Sequence, residues 1–232
     1  MRRCALQRQQ LLAETLSLED VETRRYLARA LRLRVGDSVE FFDGAGAARC
    51  AVLSEVSSKQ IVGVWSESLR IVLPDMRGPV PVLAHLKGNQ HDEAVRIAGE
   101  LGLAEIRFFR ARRDARGGPP GTGEQDRLRR IAREACRQSG GYHVTALVWC
   151  DDLAQALQGF TQIVFAQAGA REPMISVVDG SALVIGPEGG LTDEECAQLA
   201  RLGARAVGIG KRTLRARSAA VVLPAACLAG RQ

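Results

Sequence analysis

The sequence predicts an α/β protein in two parts, a small β-rich barrel followed by a larger domain built on a mainly parallel sheet. Short strand-like runs separated by turn residues occupy residues 1–72, a pattern typical of a small barrel. Residues 73–81 hold three prolines and form the expected linker. Strands alternate with helical patterns over residues 82–232, and this alternation favours a parallel sheet.

The first part is predicted to contain one helix and at least three strands. Residues 20–34 place apolar residues on one side of a helix and arginines on the rest. Short runs bounded by turn residues predict strands over residues 38–42, 51–56 and 61–65.

The second part is predicted to alternate six strands with helices. Asp126 is expected to cap a helix that runs through Gln138, because a carboxylate can accept the free N–H groups of a first turn. Pro224 should kink the last helix, residues 218–229, because proline cannot donate a backbone hydrogen bond. The predicted strands cover residues 81–84, 104–109, 145–149, 162–166, 182–185 and 206–210.

The charge balance favours a nucleic-acid partner without requiring one. The chain has a net charge of +6, and of its 32 lysines and arginines only Lys59, Lys87 and Lys211 are lysines. A guanidinium is a flat fork that can bind a phosphate through two hydrogen bonds. An arginine excess also follows from genome base composition, so this feature leaves both readings open.

The hydrophobic content, the N-terminal residues and the cysteine spacing indicate an ordinary cytoplasmic protein. The chain is 46% hydrophobic and 25% charged, and its apolar runs are shorter than the roughly 20 residues of a membrane span. The first ten residues lack the apolar core of a signal peptide. The six cysteines are scattered without a CxxC spacing, which argues against a zinc site and against a disulfide framework.

One stretch near the C-terminus has the pattern of a small-molecule site. Residues 182–185 read as a short buried strand, and residues 186–190 follow it with three glycines and a proline. Thr192 and Glu195 then form a capping-box signature, so a helix is expected to begin there. A strand, a glycine loop and a helix N-terminus can hold a ligand. A plain connection is the alternative.

A second copy of this arrangement strengthens the ligand-site interpretation. Residues 206–210 read as another short strand with a glycine-rich exit, followed by residues 211–215 and an apolar helix. Two neighbouring strands with such exits can form two walls of one pocket. The walls are expected to lie side by side and to enclose a nearly uncharged space.

Residues 118–125 have the glycine spacing of a Walker A loop but the wrong chemistry. Glu124 stands where the phosphate-binding lysine must be, and Gln125 stands where the magnesium-binding Ser or Thr must be. A carboxylate at that position would repel the phosphates, so nucleotide hydrolysis is disfavoured.

The motifs near the C-terminus resemble those of a known family. The string VIGPEGGLTDEE, followed by GIGKRTLR and a small-residue helix, resembles the RsmE family of 16S rRNA (uracil-N3)-methyltransferases of the SPOUT class. The segments LRLRVGD and FDGAG are similar to the family's PUA-like RNA-binding barrel. The resemblance implies a trefoil knot, S-adenosyl-L-methionine (AdoMet) as cofactor, 16S rRNA or the small ribosomal subunit as partner, a homodimer, and no metal.

The resemblance also implies roles for individual residues. Arg215 would be catalytic, with its charge stabilising the uracil oxygens as N3 loses its proton. The residues that would bind AdoMet are Ala166, Ile185, Gly186, Pro187, Gly189, Gly190, Ile209, Gly210 and Leu214. The residues that would contact RNA are Arg25, Arg29, Arg32, Lys87, Arg137 and Arg212.

The chain departs from the family pattern at three positions. Gly141 replaces an arginine that would contact RNA, and Tyr26 replaces a usual histidine. Arg217 stands at a usually acidic position, which reverses a charge beside the expected active site. Three hypotheses therefore compete: a 16S rRNA methyltransferase, an RNA-binding protein that kept the fold and lost catalysis, and a phosphate- or nucleotide-binding enzyme.

Overall fold

A computed structural model describes residues 2–57, 59–75, 77–86, 88–113 and 120–229, apart from four side chains. Those four belong to residues 22, 29, 30 and 175. The chain divides into two compact units, Met1–Pro74 with Cys136–Val144, and Asp75–Ala135 with Thr145–Gln232. The boundaries expected from sequence, 1–72, 73–81 and 82–232, stay a prediction.

A small, mostly antiparallel sheet forms the first unit. Its order is β1-β3-β4-β5-β2, with β6 paired to β4, and β1 lies parallel to β3. Buried leucines and Phe41 pack beneath it, because alternate residues of each strand face the same side. Its strands are β1 (Arg2–Ala5), β2 (Leu16–Leu18), β3 (Ser38–Phe42), β4 (Ala47–Val56), β5 (Ile61–Trp65) and β6 (Arg70–Ile71).

The first unit has one short helix that was not expected and a second that ends earlier than expected. Helix α1 covers Arg8–Leu12, and α2 covers Val21–Arg25 and continues as one π-helical turn, Tyr26–Ala30. The prediction of a helix through residue 34 is therefore wrong at its C-terminal end. The helix ends because Arg32 adopts a left-handed backbone, with φ at 51°, and the N–H of Leu33 donates to the carbonyl of Leu27 at 3.2 Å.

The first unit buries a charged network around Glu40, which is 1% exposed. Arg3 Nε and Arg70 Nη2 each donate to the Glu40 carboxylate at 2.6 Å, and the Tyr142 hydroxyl donates to it at 2.9 Å. The Arg3 guanidinium also lies over the rings of Phe42 and Tyr142, at 4.5 and 4.7 Å. The network thus holds the 136–144 segment against the sheet of its own unit.

A seven-stranded sheet forms the second unit, and the predicted parallel sheet is confirmed. Its order is β11-β13-β10-β12-β7-β8-β9, and every one of these pairs is parallel. Its strands are β7 (Val80–Ala84), β8 (Glu105–Phe109), β9 (Ala146–Cys150), β10 (Ile163–Ala166), β11 (Glu172–Pro173), β12 (Ala182–Ile185) and β13 (Arg205–Gly208). The trefoil knot stays a prediction.

Two helices of the second unit, α4 and α7, begin earlier than the sequence pattern predicted. Asp126 does not cap its helix: it lies inside α4, where its carboxylate accepts from Arg129 at 2.9 Å. The helix begins earlier because the N–H groups of Glu124 and Gln125 already donate to the Gly121 carbonyl. The helices are α3 (His91–Glu100), α4 (Thr122–Ser139), α5 (Leu153–Ala156), α6 (Asp193–Arg201) and α7 (Ala216–Leu228).

Within the described part of the chain, every helix is too short or too polar to pass through a lipid bilayer. Over the same residues, His, Cys, Asp and Glu side chains nowhere gather in groups of three or more that could hold a metal ion.

Candidate active site

A cavity of about 550 Å³ lies at the carboxyl edge of the parallel sheet in the second unit. Strands β12, β10 and β13 are neighbours there, and because they are parallel their exits meet at the same edge. Three loops line the cavity, residues 165–168 after β10, residues 185–191 after β12 and residues 207–215 after β13. The start of α7 adds Ala216, Ala219 and Leu223.

The order of these strands differs from the sequence expectation in one respect. The exits of β12 and β13 line the same cavity, as expected, but the two strands are not neighbours. Strand β10 lies between them, with Phe165 paired to Val184 on one side and to Ala206 on the other. The AQAGA exit of β10, which the family resemblance predicted as a third wall although its sequence is featureless, lines the cavity as the middle wall.

Local hydrogen bonds shape the loop after β12. Gly190 has a φ of 71°, which glycine adopts without strain, and its N–H donates to the Pro187 carbonyl at 2.9 Å. The predicted capping box is confirmed: the Thr192 Oγ1 accepts from the Glu195 N–H at 3.2 Å, and a Glu195 oxygen accepts from the Thr192 N–H at 2.7 Å. These hydrogen bonds therefore fix the backbone conformation of the loop where it joins α6.

The exit of β8 supports this loop, and the sequence carried no sign of that contact. The Arg112 N–H donates to the second oxygen of the buried Glu195 carboxylate at 2.9 Å. Arg113 Nη1 donates to the carbonyls of Gly189 and Leu191, at 3.1 and 3.3 Å. Both arginines lie more than 70 positions before the groups they contact, so spacing along the chain could not reveal the pairing.

The loops after β10 and β13 are tied to each other. The Gln167 N–H donates to the Val207 carbonyl at 3.0 Å, and the Gly169 N–H donates to the Gly210 carbonyl at 2.8 Å. A Cβ on Gly208 would lie 2.6 Å from the Gln167 carbonyl oxygen, which is too close for any side chain. Glycine at 208 is therefore required for the close approach of the two loops.

The cavity lining carries few charges. Glu188, Arg212 and Arg215 are its charged residues, and all three are exposed to solvent. The other lining residues are apolar, glycine or neutral polar. A binding surface of this kind suits an uncharged nucleoside group better than a triphosphate.

Eight of the nine residues expected to bind a cofactor line the cavity, and Gly189 does not. Arg212 and Arg215 line it as well. The remaining lining residues were not among those expected to bind a cofactor, and they come from the three loops and strand ends, from α6 and from the start of α7. They are Phe165, Gln167, Ala168, Glu188, Leu191, Cys196, Val207, Gly208, Thr213, Ala216, Ala219 and Leu223.

The residues expected to contact RNA have different surroundings. Arg25 and Arg32 are exposed in the first unit. The Arg137 guanidinium lies 5.2 Å from the centre of the Tyr26 ring. Lys87 and the Arg29 side chain lie outside the described residues.

The departures from the family pattern at positions 141 and 217 also have a defined place. The Gly141 carbonyl accepts from Arg3 Nη2 at 2.8 Å, and a Cβ at Gly141 would lie 3.2 Å from the Cys136 sulfur. Arg217 is exposed in the first turn of α7, next to the cavity residue Ala216.

Comparison with known families identifies the family of the chain. The family model described as an RNA methyltransferase domain matches residues 80–228, which is more than half of the chain. The chain belongs to this family. The model described as an RNA methyltransferase PUA domain matches residues 18–64. The cavity of this RNA methyltransferase lies wholly within the range matched by the first model.

Relatives and solved structures agree with this assignment. The chain is 28% identical over 229 residues to the ribosomal RNA small subunit methyltransferase E of Synechocystis, covering 92% of this chain and 73% of that one. It is 28% identical over 217 residues to the Mycobacterium tuberculosis protein of the same name, covering 85% and 80%.

Two solved structures share the fold over almost the whole chain. A Legionella pneumophila protein solved with the cofactor SAM has a TM-score of 0.83 at 22% identity, covering 98% of this chain and 96% of that one. A ribosomal RNA small subunit methyltransferase E from Neisseria gonorrhoeae, bound to S-adenosyl methionine, has a TM-score of 0.82 at 23% identity, covering 98% and 97%.

Proposed function

We propose that this RNA methyltransferase transfers a methyl group from AdoMet to N3 of a uridine in 16S ribosomal RNA. The observation that carries the proposal is the nearly uncharged cavity at the exits of β12, β10 and β13, in a chain that belongs to an RNA methyltransferase family. Relatives carry the name of a small-subunit rRNA methyltransferase, and two neighbours in structure hold SAM.

The residues present fit the proposed cofactor. The cavity volume of about 550 Å³ lies within the usual range for small-molecule sites. Lining glycines such as Gly186 and Gly210 let a base and a ribose approach the backbone, while Ile185, Leu214 and Leu223 offer apolar contact. Bound AdoMet would supply an activated methyl group, which an in-line displacement carries to the uracil nitrogen.

Within this proposal the chain positions the uracil and stabilises its charge. Arg215 lies at the junction of the β13 loop and α7, exposed at the cavity surface. As N3 of the uracil loses its proton to solvent, negative charge develops on the two ring oxygens. A guanidinium at this place lowers the energy of that charge without further reorganisation.

Two measurements test the proposal. Calorimetry with the purified protein should detect binding of AdoMet and no comparable binding of ATP. Mass spectrometry of 16S rRNA from a deletion strain should show one uridine without its methyl group, and the purified enzyme should restore it. Absence of AdoMet binding would instead favour an RNA-binding protein without catalysis, and protection by ATP alone would favour a nucleotide-binding enzyme.

We also propose that the protein is a cytoplasmic homodimer joined through helix α7. The helix is apolar on nearly all sides, and Val222 is 40% exposed while Val221, Ala225 and Ala226 are half-buried. A helix that is hydrophobic all round is normally covered on every face. Light scattering coupled to size-exclusion chromatography should give twice the mass of the 25.0 kDa chain.

Gly208→Ala is expected to destabilise the second unit and to weaken AdoMet binding. The added methyl group would lie 2.6 Å from the Gln167 carbonyl oxygen, so the loops after β10 and β13 must move apart. Overpacking of this kind costs about 1–3 kcal/mol of unfolding free energy. Urea unfolding and calorimetry check the two effects.

The matched control for this substitution is Gly210→Ala in the same segment. A Cβ at Gly210 meets no atom within 4 Å, so the control should leave the unfolding free energy unchanged or raise it by up to about 1 kcal/mol, because alanine has less freedom in the unfolded chain. Equal unfolding free energies for the G208A and wild-type proteins would show that the loops after β10 and β13 leave room for a methyl group at position 208.

Arg32→Gly is expected to stabilise the first unit while weakening RNA binding. Arg32 has a φ of 51°, a conformation that costs an arginine about 1–2 kcal/mol and costs a glycine almost nothing. Part of that gain is offset by the greater freedom of glycine in the unfolded chain, which leaves up to about 1 kcal/mol. Loss of the exposed guanidinium removes a proposed phosphate contact.

Arg34→Gly is the matched control for the Arg32 substitution. Arg34 is also exposed, but its backbone lacks a positive φ, so glycine there should lower the unfolding free energy. Thermal unfolding and RNA gel shifts measure both variants. An R32G protein that binds RNA as tightly as wild type would contradict the proposed contact.

A further inference from the structure

A dense group of positive charges lies beside the cavity. Lys211, Arg212, Arg215 and Arg217 occur within seven residues, between the end of β13 and the first turn of α7. All four side chains are exposed, and Arg212 and Arg215 line the cavity itself. We call residues 211–217 the cationic rim.

The cationic rim has no anionic partner within the described part of this chain. None of its four side chains forms an ion pair there, although other arginines of the same unit do. Arg107 pairs with Glu105, and Arg127 pairs with Asp92. The buried Glu195 carboxylate of α6 accepts from the backbone N–H groups of Thr192 and Arg112 instead.

The position of the rim makes these unpaired charges unfavourable in a single chain without RNA. Arg215 is the N-cap residue of α7, Arg217 lies in its first turn, and that turn holds no acidic residue. The N-terminus of a helix carries a partial positive charge, so cations there are repelled. Helices α3 and α6, by contrast, begin with acidic residues. An external anion bound at the rim would remove this repulsion.

We propose that Arg217, together with Lys211, binds backbone phosphates of the substrate RNA beside the nucleotide that enters the cavity. This inference rests on the proposed function and assigns a role to the residue at which the chain departs most from its family pattern. The guanidinium of Arg217 can hold one phosphate through two hydrogen bonds, and Lys211 can neutralise a second. The reversal of charge at position 217 then adds an RNA contact and does not impair the site.

The salt dependence of RNA binding tests this role directly. Each phosphate contact contributes about 0.7–0.9 to the slope of log affinity against log salt concentration, because a condensed counterion is released. For binding to a 16S rRNA transcript, Arg217→Gln and Lys211→Gln should each reduce the slope by about 1 and the affinity roughly fivefold. Arg217→Glu should have a larger effect on both.

Two further readouts separate phosphate binding from a structural role. AdoMet affinity, measured by calorimetry, should remain the same in all three variants. Arg217→Glu should also raise the thermal midpoint by about 1–3 °C, because an acidic residue in the first turn of α7 interacts favourably with the helix dipole. Stability and RNA affinity would then change in opposite directions, which damage to the fold cannot produce.

Arg201→Gln is the matched control for net charge. Arg201 is an exposed arginine in the last turn of α6, and its removal lowers the charge of the protein by the same amount. Its salt slope should equal that of wild type. A reduction in slope as large as that of Arg217→Gln would mean that general charge, rather than the cationic rim, determines binding.

Three results would overturn the inference. The first is a salt slope for Arg217→Gln equal to that of wild type, and the second is a loss of AdoMet affinity in the rim variants. The third is faster methylation by Arg217→Glu, which would mark the natural arginine as an impairment. A wild-type protein that neither binds AdoMet nor methylates the transcript or the assembled subunit would instead reject the proposed function.

Discussion

Arg215→Ala should lower the rate of methyl transfer to 16S rRNA by about 10²–10³-fold, with little change in AdoMet affinity. Arg215 is exposed at the cavity surface, next to the loop after β13. Its charge is expected to act on the uracil oxygens, whose negative charge develops only as N3 loses its proton. Loss of an interaction made only in the transition state lowers the rate constant and leaves binding of the cofactor unchanged.

Single-turnover transfer of a labelled methyl group measures this effect without interference from product release. Arg215→Lys keeps the positive charge but not the planar fork, so its rate should lie between those of wild type and Arg215→Ala. Arg201→Ala, at the last turn of α6, should react like wild type. A rate for Arg215→Ala within about twofold of wild type would assign the charge stabilisation to another group.

Glu40→Gln should lower the unfolding free energy of the first unit by about 3–5 kcal/mol. Glu40 accepts hydrogen bonds from Arg3, Arg70 and Tyr142, and it is almost fully buried. Its replacement leaves the Arg3 guanidinium, which is also buried, without a compensating charge. The cost comes chiefly from that unpaired cation.

Urea unfolding monitored by Trp65 measures this loss in a Trp149→Phe background, because the chain has two tryptophans and Trp65 belongs to the first unit. Glu67→Gln is the matched control. A Glu67 carboxylate oxygen lies 3.8 Å from Nε of the same Arg70, but the Glu67 side chain is 52% exposed. Removal of its charge should therefore lower the unfolding free energy by less than about 1 kcal/mol. An equal loss of unfolding free energy in Glu40→Gln and Glu67→Gln would show that burial of the ion pair does not determine its contribution to stability.

The same carboxylate should make the stability of the first unit fall in acid. Burial raises the pKa of Glu40, but the hydrogen bonds donated by Arg3 and Tyr142 and the charges of Arg3 and Arg70 outweigh it, so the pKa lies below its ordinary value of 4.5. A carboxylate whose pKa is lower in the folded state stabilises that state fully at pH values above its pKa in the unfolded chain. This stabilisation is lost as the pH falls through its pKa in the folded state.

Unfolding midpoints measured from pH 6 down to pH 3 check this dependence. The wild-type midpoint should fall more steeply than that of Glu40→Gln below about pH 4.5. Some dependence should remain in the variant, because Asp43 also has a lowered pKa. Its burial raises the pKa, but the backbone N–H groups of Ala45 and Ala47 and the guanidinium of Arg8 more than compensate.

The sequence by itself determined the local parts of the site. The strand Ala182–Ile185, the turn at Gly190 and the capping box of Thr192 and Glu195 all follow from neighbours within a few positions. Such features depend on backbone geometry and on short-range hydrogen bonds, which residue type and spacing report directly. The parallel sheet of the second unit was predictable because strands alternate with helices along the chain.

Only the tertiary structure decided how these parts meet. It placed β10 between β12 and β13, brought Arg112 and Arg113 to the loop after β12, and joined residues 136–144 to the first unit through Tyr142 and Glu40. Each of these contacts joins residues far apart in the chain. They depend on which surfaces pack together over the whole molecule, and no local pattern of residues records that choice.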